Sequence, residues 1–185
     1  AVGLAAGFRA NVWNIGAEGQ LTIGAICGGA LALAIPETPA LILLPAMALA
    51  GAAGGLAWAS VPAALKVRFG VNEILTSLML TYVATLFLGL LVHVPLKDPA
   101  GFGFPQSEML SPSATMPLLV EGTRLHVGFL VALAVAIAGA FLMARMLVGF
   151  RIRGLGAATS AARYAGFNGA RIVWGTLLTS GALAG

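Results

Sequence analysis

Asn14-Ile15-Gly16-Ala17-Glu18-Gly19-Gln20 places a carboxylate, two carboxamides and two glycines at the mouth of a long apolar run. A second apolar run opens with Asn72-Glu73-Ile74-Leu75-Thr76-Ser77. Ionisable groups at such places are expensive, and they are usually paired, set in a water-filled cavity or in contact with a permeating solute. Catalysis is a poor account of them. No second carboxylate, nucleophile or metal set accompanies Glu18. Cys27 is the one cysteine, so no internal disulfide forms, and its apolar surroundings make it a small packing residue. One cysteine and two separated histidines, His93 and His126, build no metal cluster; each histidine reads as an interfacial residue. No glycine-rich phosphate loop followed by Lys-Ser/Thr occurs, so this chain carries no nucleotide site of that kind. What remains is hydrogen bonding, either to a solute or between helices.

The elements that hold these residues are long and oily. The chain of 185 residues is 59% hydrophobic and 9% charged, with a mean hydropathy of +0.99. Soluble domains carry about a quarter charged residues, so most of this chain faces lipid. The net charge of +4 does not make it a nucleic-acid binder, because the basic residues are scattered between apolar runs. The expected class is all-α, a polytopic transmembrane bundle. Four segments are long enough to cross a bilayer: about 15–35, 40–60, 72–93 and 127–147. A fifth begins near Ile172. Residues 1–14 read as the end of a preceding span or a re-entrant piece. The chain as a whole, 1–185, reads as an internal fragment of one longer membrane domain.

Charge sets the orientation. Lys66 and Arg68 form a basic link between the second and third spans, and Arg145, Arg151, Arg153, Arg163 and Arg171 crowd the segment after the fourth. Lys and Arg favour the cytoplasmic side. Glu37, in the Pro36–Pro39 turn, and the loop mixing Lys97 and Arg124 with Asp98, Glu108 and Glu121 then lie outside. Trp13, Trp58 and Trp174 fall near expected span ends, where aromatic belts occur.

Asn72 is a natural N-cap, and Glu73 suits the positive end of a helix dipole. Glu73, Thr76, Ser77, Thr81 and Thr85 share a helical face, either as an interhelical hydrogen-bond seam or as a wall of a solute path. Asn11, Asn14, Glu18 and Thr22 would make a similar stripe if one helix held them, but Gly16 and Gly19 weaken that helix. A broken helix at membrane depth frees backbone groups to line a cavity. Glu18 could equally pair with an arginine or cap a helix. Gly24/Gly28, Gly51/Gly55 and Gly181/Gly185 have the spacing that lets helix backbones approach in lipid. Between 149 and 171, Gly154 and Gly156 are expected to break the exit from the fourth span. Thr159 or Ser160 would then cap a short helix over Ala161–Ala165 that Gly166 ends. Such an element docks a partner or lies on anionic lipid headgroups.

In this order, Asn14–Gln20, Asn72–Ser77, Gly122–His126 and Ala161-Ala162-Arg163-Tyr164-Ala165-Gly166 resemble the permease subunits of bacterial ABC importers. The resemblance spans nearly the whole chain. It is strongest to the nucleoside and simple-sugar branch, related to the branched-chain amino acid and ribose permeases. It implies a multi-pass subunit of the bacterial plasma membrane, paired with a second permease chain. It also implies two cytoplasmic ATPases that hold the ATP and Mg²⁺, and an extracytoplasmic solute-binding protein. The chain itself would carry no cofactor and would not be an enzyme. By resemblance, Arg153, Gly156 and Ala161–Gly166, including Ala162, Arg163, Tyr164 and Ala165, belong to the coupling loop that touches the ATPase. Asn14, Glu18, Gln20, Glu73, Thr76 and Ser77 become the translocation-path or intramembrane polar set. One departure stands out: a frequent Asn-Pro before the Ala-Ala-Arg motif is Ala158-Thr159 here. The expected function is ATP-driven import of a small polar solute, nucleoside or sugar-like. The alternatives are a passive channel or facilitator, a branched-chain amino acid permease, or a non-transporting scaffold.

Overall fold

A helix rises 1.5 Å per residue, so about twenty apolar residues cross the roughly 30 Å hydrocarbon layer. The computed structural model describes residues 2–94, 96–98, 104, 106–119, 122–123 and 125–185. Among the described residues the chain is almost wholly helical and no strand forms; isolated bridges pair Lys97 with Ser107 and Leu118 with His126. Glu121 and Arg124 of the expected outer loop lie outside the described residues.

Four helices have the length and apolarity of membrane spans. They are α2 (Ala17–Ala34), α3 (Ala40–Phe69), α4 (Glu73–His93) and α5 (Gly128–Arg145). Ahead of them stands α1 (Val2–Arg9), and after them come α6 (Leu147–Ala157), α7 (Thr159–Tyr164) and α8 (Gly169–Ala184). The chain is a polytopic helical bundle. Expected and observed spans agree for α2, α4 and α5 to within two residues at each end. Asn72 caps α4 as its type predicts, its Oδ1 accepting from the Ile74 N–H at 2.9 Å.

Three elements differ from expectation. α3 does not stop near Ser60 but continues to Phe69, so Lys66 and Arg68 sit on its last turn. The Ser60 hydroxyl donates to the Ala57 carbonyl and is satisfied within the helix. The stop is Gly70, at φ +67°, whose N–H reaches the Leu65 and Lys66 carbonyls. Trp58 lies within the continuous α3. Gly154 and Gly156 break nothing, because α6 runs through both. The break after α5 falls at Met146, which is extended. Gly156 is instead a contact, since a Cβ there would strike the Arg9 carbonyl of α1. Finally, neither Thr159 nor Ser160 caps α7. Ala158 precedes that helix without a side-chain cap, and the Thr159 hydroxyl turns back to the Leu155 carbonyl at 3.5 Å. Gly166, at φ +80°, follows its end as expected.

Five of the six glycines in the three small-residue pairs converge on one crossing, and Gly28 meets Met47 instead. A Cβ on Gly51 would lie 2.6 Å from the Gly185 carbonyl oxygen, and one on Gly55 or Gly24 would strike Gly181 or Gly185. α2, α3 and α8 therefore meet backbone to backbone, where dispersion rather than the hydrophobic effect holds helices together in lipid. The same approaches give directions. α2 runs antiparallel to α3 (Gly28 against Met47) and parallel to α4 (Gly16 against Ser77, Gly19 against Thr81). α8 runs antiparallel to α3. α5 presents no buried residue to the rest of the chain, and most of α4 is also uncovered.

Candidate functional site

Between α1 and α2 the chain is not helical over residues 10–16. Asn11 takes φ +58°, a conformation that Asn tolerates better than most side chains. Asn11 and Asn14 therefore do not share a helix with Glu18 and Thr22. The connector is instead threaded into the bundle, and Trp13, Asn14 and Ile15 bond to α2, α4 and α8 there.

Asn14 is the centre of this arrangement. Its Nδ2 donates to Gln20 Oε1 and to Ser180 Oγ, each at 2.9 Å. Its Oδ1 accepts from the Gly16 N–H at 3.1 Å and from Gln20 Nε2 at 3.3 Å. The neighbouring Ile15 N–H donates to Ser77 Oγ at 3.3 Å. Asn14, Gln20, Ser77 and Ser180 are all buried. The knot ties the connector to α2, α4 and α8. Sequence reasoning named three of its four side chains. Ser180 was missed, although Thr176 and Ser180 stand one turn apart on α8 and both are buried.

Glu73 extends the knot toward the basic face. It is buried, forms an ion pair with Lys66 on the last turn of α3, and accepts from the Trp13 N–H at 3.4 Å. Glu18 lies elsewhere: two residues from Gln20, it falls on the opposite side of α2 and is exposed. The stripe along α4 is chemically one-sided. Thr76, Thr81 and Thr85 give their hydroxyl protons to the Asn72, Ser77 and Thr81 carbonyls at 3.0–3.2 Å. What they retain is lone pairs.

The segment 149–171 is mostly helix. Arg153 donates to the Met143 carbonyl, clamping α6 to α5 across the Met146 break. Phe167 packs edge-on against Phe150 at 6.1 Å, with Arg151 over its ring. Ala162 is buried beneath α7, whereas Ala161, Arg163, Tyr164, Ala165 and Gly166 are exposed, Tyr164 almost completely at 96%. Of the expected coupling residues, those on α7 and just after it form a free surface; Arg153 and Gly156 hold the platform. Beside α7 a cavity of about 440 Å³ opens between the connector, α3, α6, α7 and α8. Among the described residues, no three His, Cys, Asp or Glu side chains gather into a metal site.

Residues 1–185 match the family described as the branched-chain amino acid transport system / permease component. The chain belongs to that family. It is 39% identical to a glucose ABC transporter permease of Haloferax volcanii over 95% of this chain and 48% of that protein. It is 34% identical to a guanosine ABC transporter permease of Bacillus subtilis over 96% of this chain and 51% of that protein. It is 26% identical to a nucleoside ABC transporter permease of Lactococcus lactis over 100% of this chain and 53% of that protein. The chain thus spans about half the length of these curated relatives. No solved structure matches it.

Proposed function

We propose that this chain is part of the membrane-spanning subunit of an ATP-driven importer for a nucleoside or sugar-like solute. The relatives named for glucose, guanosine and nucleosides support that solute class. So does α4, whose hydroxyls offer acceptors to a solute rich in O–H and N–H donors. A second permease chain covers the bare faces of α4 and α5 where lipid does not, and the path runs between the two subunits. ATP and Mg²⁺ are held by separate cytoplasmic ATPase chains, and a solute-binding protein delivers from the outer side. Lys and Arg favour the cytoplasmic side, and that preference supports a cytoplasmic α7 in the plasma membrane of a bacterial cell.

The observation that carries this reading is α7 itself, an exposed short helix bearing Arg163 and Tyr164 on the basic side of a bundle of this family. Binding of the ATPase in two nucleotide states would shift the bundle between two arrangements, because a ligand moves an equilibrium only by its differential affinity. Replacing Arg163 and Tyr164 together with Ala should lower uptake and ATPase stimulation while membrane insertion is retained. Unchanged uptake would refute the docking role, and uptake that persists with no ATPase co-expressed would mark a passive facilitator instead.

A further inference from the structure

The cavity beside α7 has a one-sided chemistry. Lys66 and Arg163 both line it, with Asn11 and Thr159, over an apolar floor that includes Val12 and Leu155. No described carboxylate lines it. Asn11 Oδ1 accepts from the Trp13 indole at 3.1 Å, and its amide N–H₂ adds two donors. Glu73 is the ion-pair partner of Lys66, and an ammonium group offers three donors. Arg163 forms no ion pair among the described residues. Donor-bearing side chains therefore line a space that no described carboxylate shares. At about 440 Å³ it falls within the roughly 300–1,000 Å³ range of small-molecule pockets, and so can admit a whole side chain.

We infer that this cavity receives a carboxylate side chain from the cytoplasmic ATPase, held between Lys66 and Arg163. The inference rests on the reading of the chain as an ATPase-docking permease. Arg163 belongs both to the exposed surface of α7 and to the cavity wall, so a protein that covers α7 also covers the cavity mouth. A lipid headgroup matches the charge but gives no reason for the continuity with Tyr164. Seating the carboxylate divides Lys66 between two anions. That loosens its hold on Glu73, and Glu73 is bonded to the Trp13 N–H next to the Asn14 knot. Docking is thereby wired to the connector between α1 and α2 through a single ammonium group.

Zero-length carbodiimide cross-linking of the complete transporter tests this. Carbodiimide joins an amine to a carboxylate that touches it, so Lys66 should be recovered by mass spectrometry linked to an Asp or Glu of the ATPase. Arg163→Gln should lower that cross-link at least fivefold, and Lys66→Arg, which keeps the charge but removes the amine, should abolish it. If the ATPase co-purifies with the wild-type permease but Lys66 links only to Glu73, the inference is overturned and the docking reading survives. If no ATPase co-purifies, the docking reading fails and takes the inference with it. Retention on anionic phosphatidylglycerol vesicles that depends on Lys66 and Arg163, with no cross-link to a co-purified ATPase, would assign the cavity to lipid and also overturn it.

Discussion

Replacing Asn14 with Ala removes four hydrogen bonds at once, those to Gln20, Ser180 and the Gly16 N–H. Side-chain hydrogen bonds inside membrane proteins average about 0.6 kcal/mol each, so the four together contribute about 2.4 kcal/mol. The Gln20 carboxamide, buried to 1% exposure, is left without its partner. An unsatisfied buried polar group carries a further penalty of about 1–3 kcal/mol, which puts the loss at about 3–5 kcal/mol. Even the hydrogen-bond part alone, about 2.4 kcal/mol, shifts the unfolding equilibrium about sixtyfold. The assay is unfolding in mixed micelles of rising SDS fraction, followed by alkylation of Cys27, which is only partly buried and packs against Gly54. Glu18→Gln is the control, because Glu18 is exposed and surface substitutions fall within about 0.5 kcal/mol. Asn14→Ala should unfold at a clearly lower SDS fraction than either wild type or Glu18→Gln. Coincident curves for the two variants would refute the claim that the knot holds the connector in place.

The Lys66–Glu73 pair makes a second prediction. Lys66→Met strands a buried carboxylate and should cost about 3–5 kcal/mol, whereas Lys66→Met with Glu73→Gln should recover most of that loss in the same SDS titration. Simple additivity of the two single changes would count against a direct pair. The glycine crossing makes a third. Gly55→Ala should weaken the bundle, because the new methyl strikes the Gly181 carbonyl, whereas Gly29→Ala meets open space and should be neutral or stabilising by up to about 1 kcal/mol. Equal thermal stability of the two variants in detergent would contradict backbone contact between α3 and α8.

Length and apolarity were enough to find α2, α4 and α5 in the sequence, since lipid leaves few alternatives to a helix. The tail of α3 was hidden by its own chemistry: once the helix leaves the oily layer, Lys66 and Arg68 look like a loop. Gly70 just after two basic residues was the stop signal there, stronger than Ser60 or Pro62. α6 was obscured for another reason. Glycine reads locally as a breaker, and only the approach of Arg9 to Gly156 reveals it as a contact. The candidate site was half legible. Asn14, Gln20, Glu73 and Ser77 stood out as polar residues in oily surroundings, but their partners Ser180 and Lys66 are more than a hundred and fifty residues away in one case and on a separate helix in the other. Glu18 looked equivalent to Gln20 until helical phase put them on opposite sides.

The surplus length of α3 has a mechanical consequence. Thirty residues make a rod of about 45 Å, half again the thickness of the oil it crosses. Its last turns, with Lys66 and Arg68, extend past the apolar stretch, on the side proposed to face the ATPase. Pivoted at mid-depth, such a rod acts as a lever: about 10° of tilt sweeps the tip sideways by about 4 Å. A displacement of that size exceeds the reach of a salt bridge's tolerance, so modest rocking inside the bilayer is enough to make or break a charged grip below it.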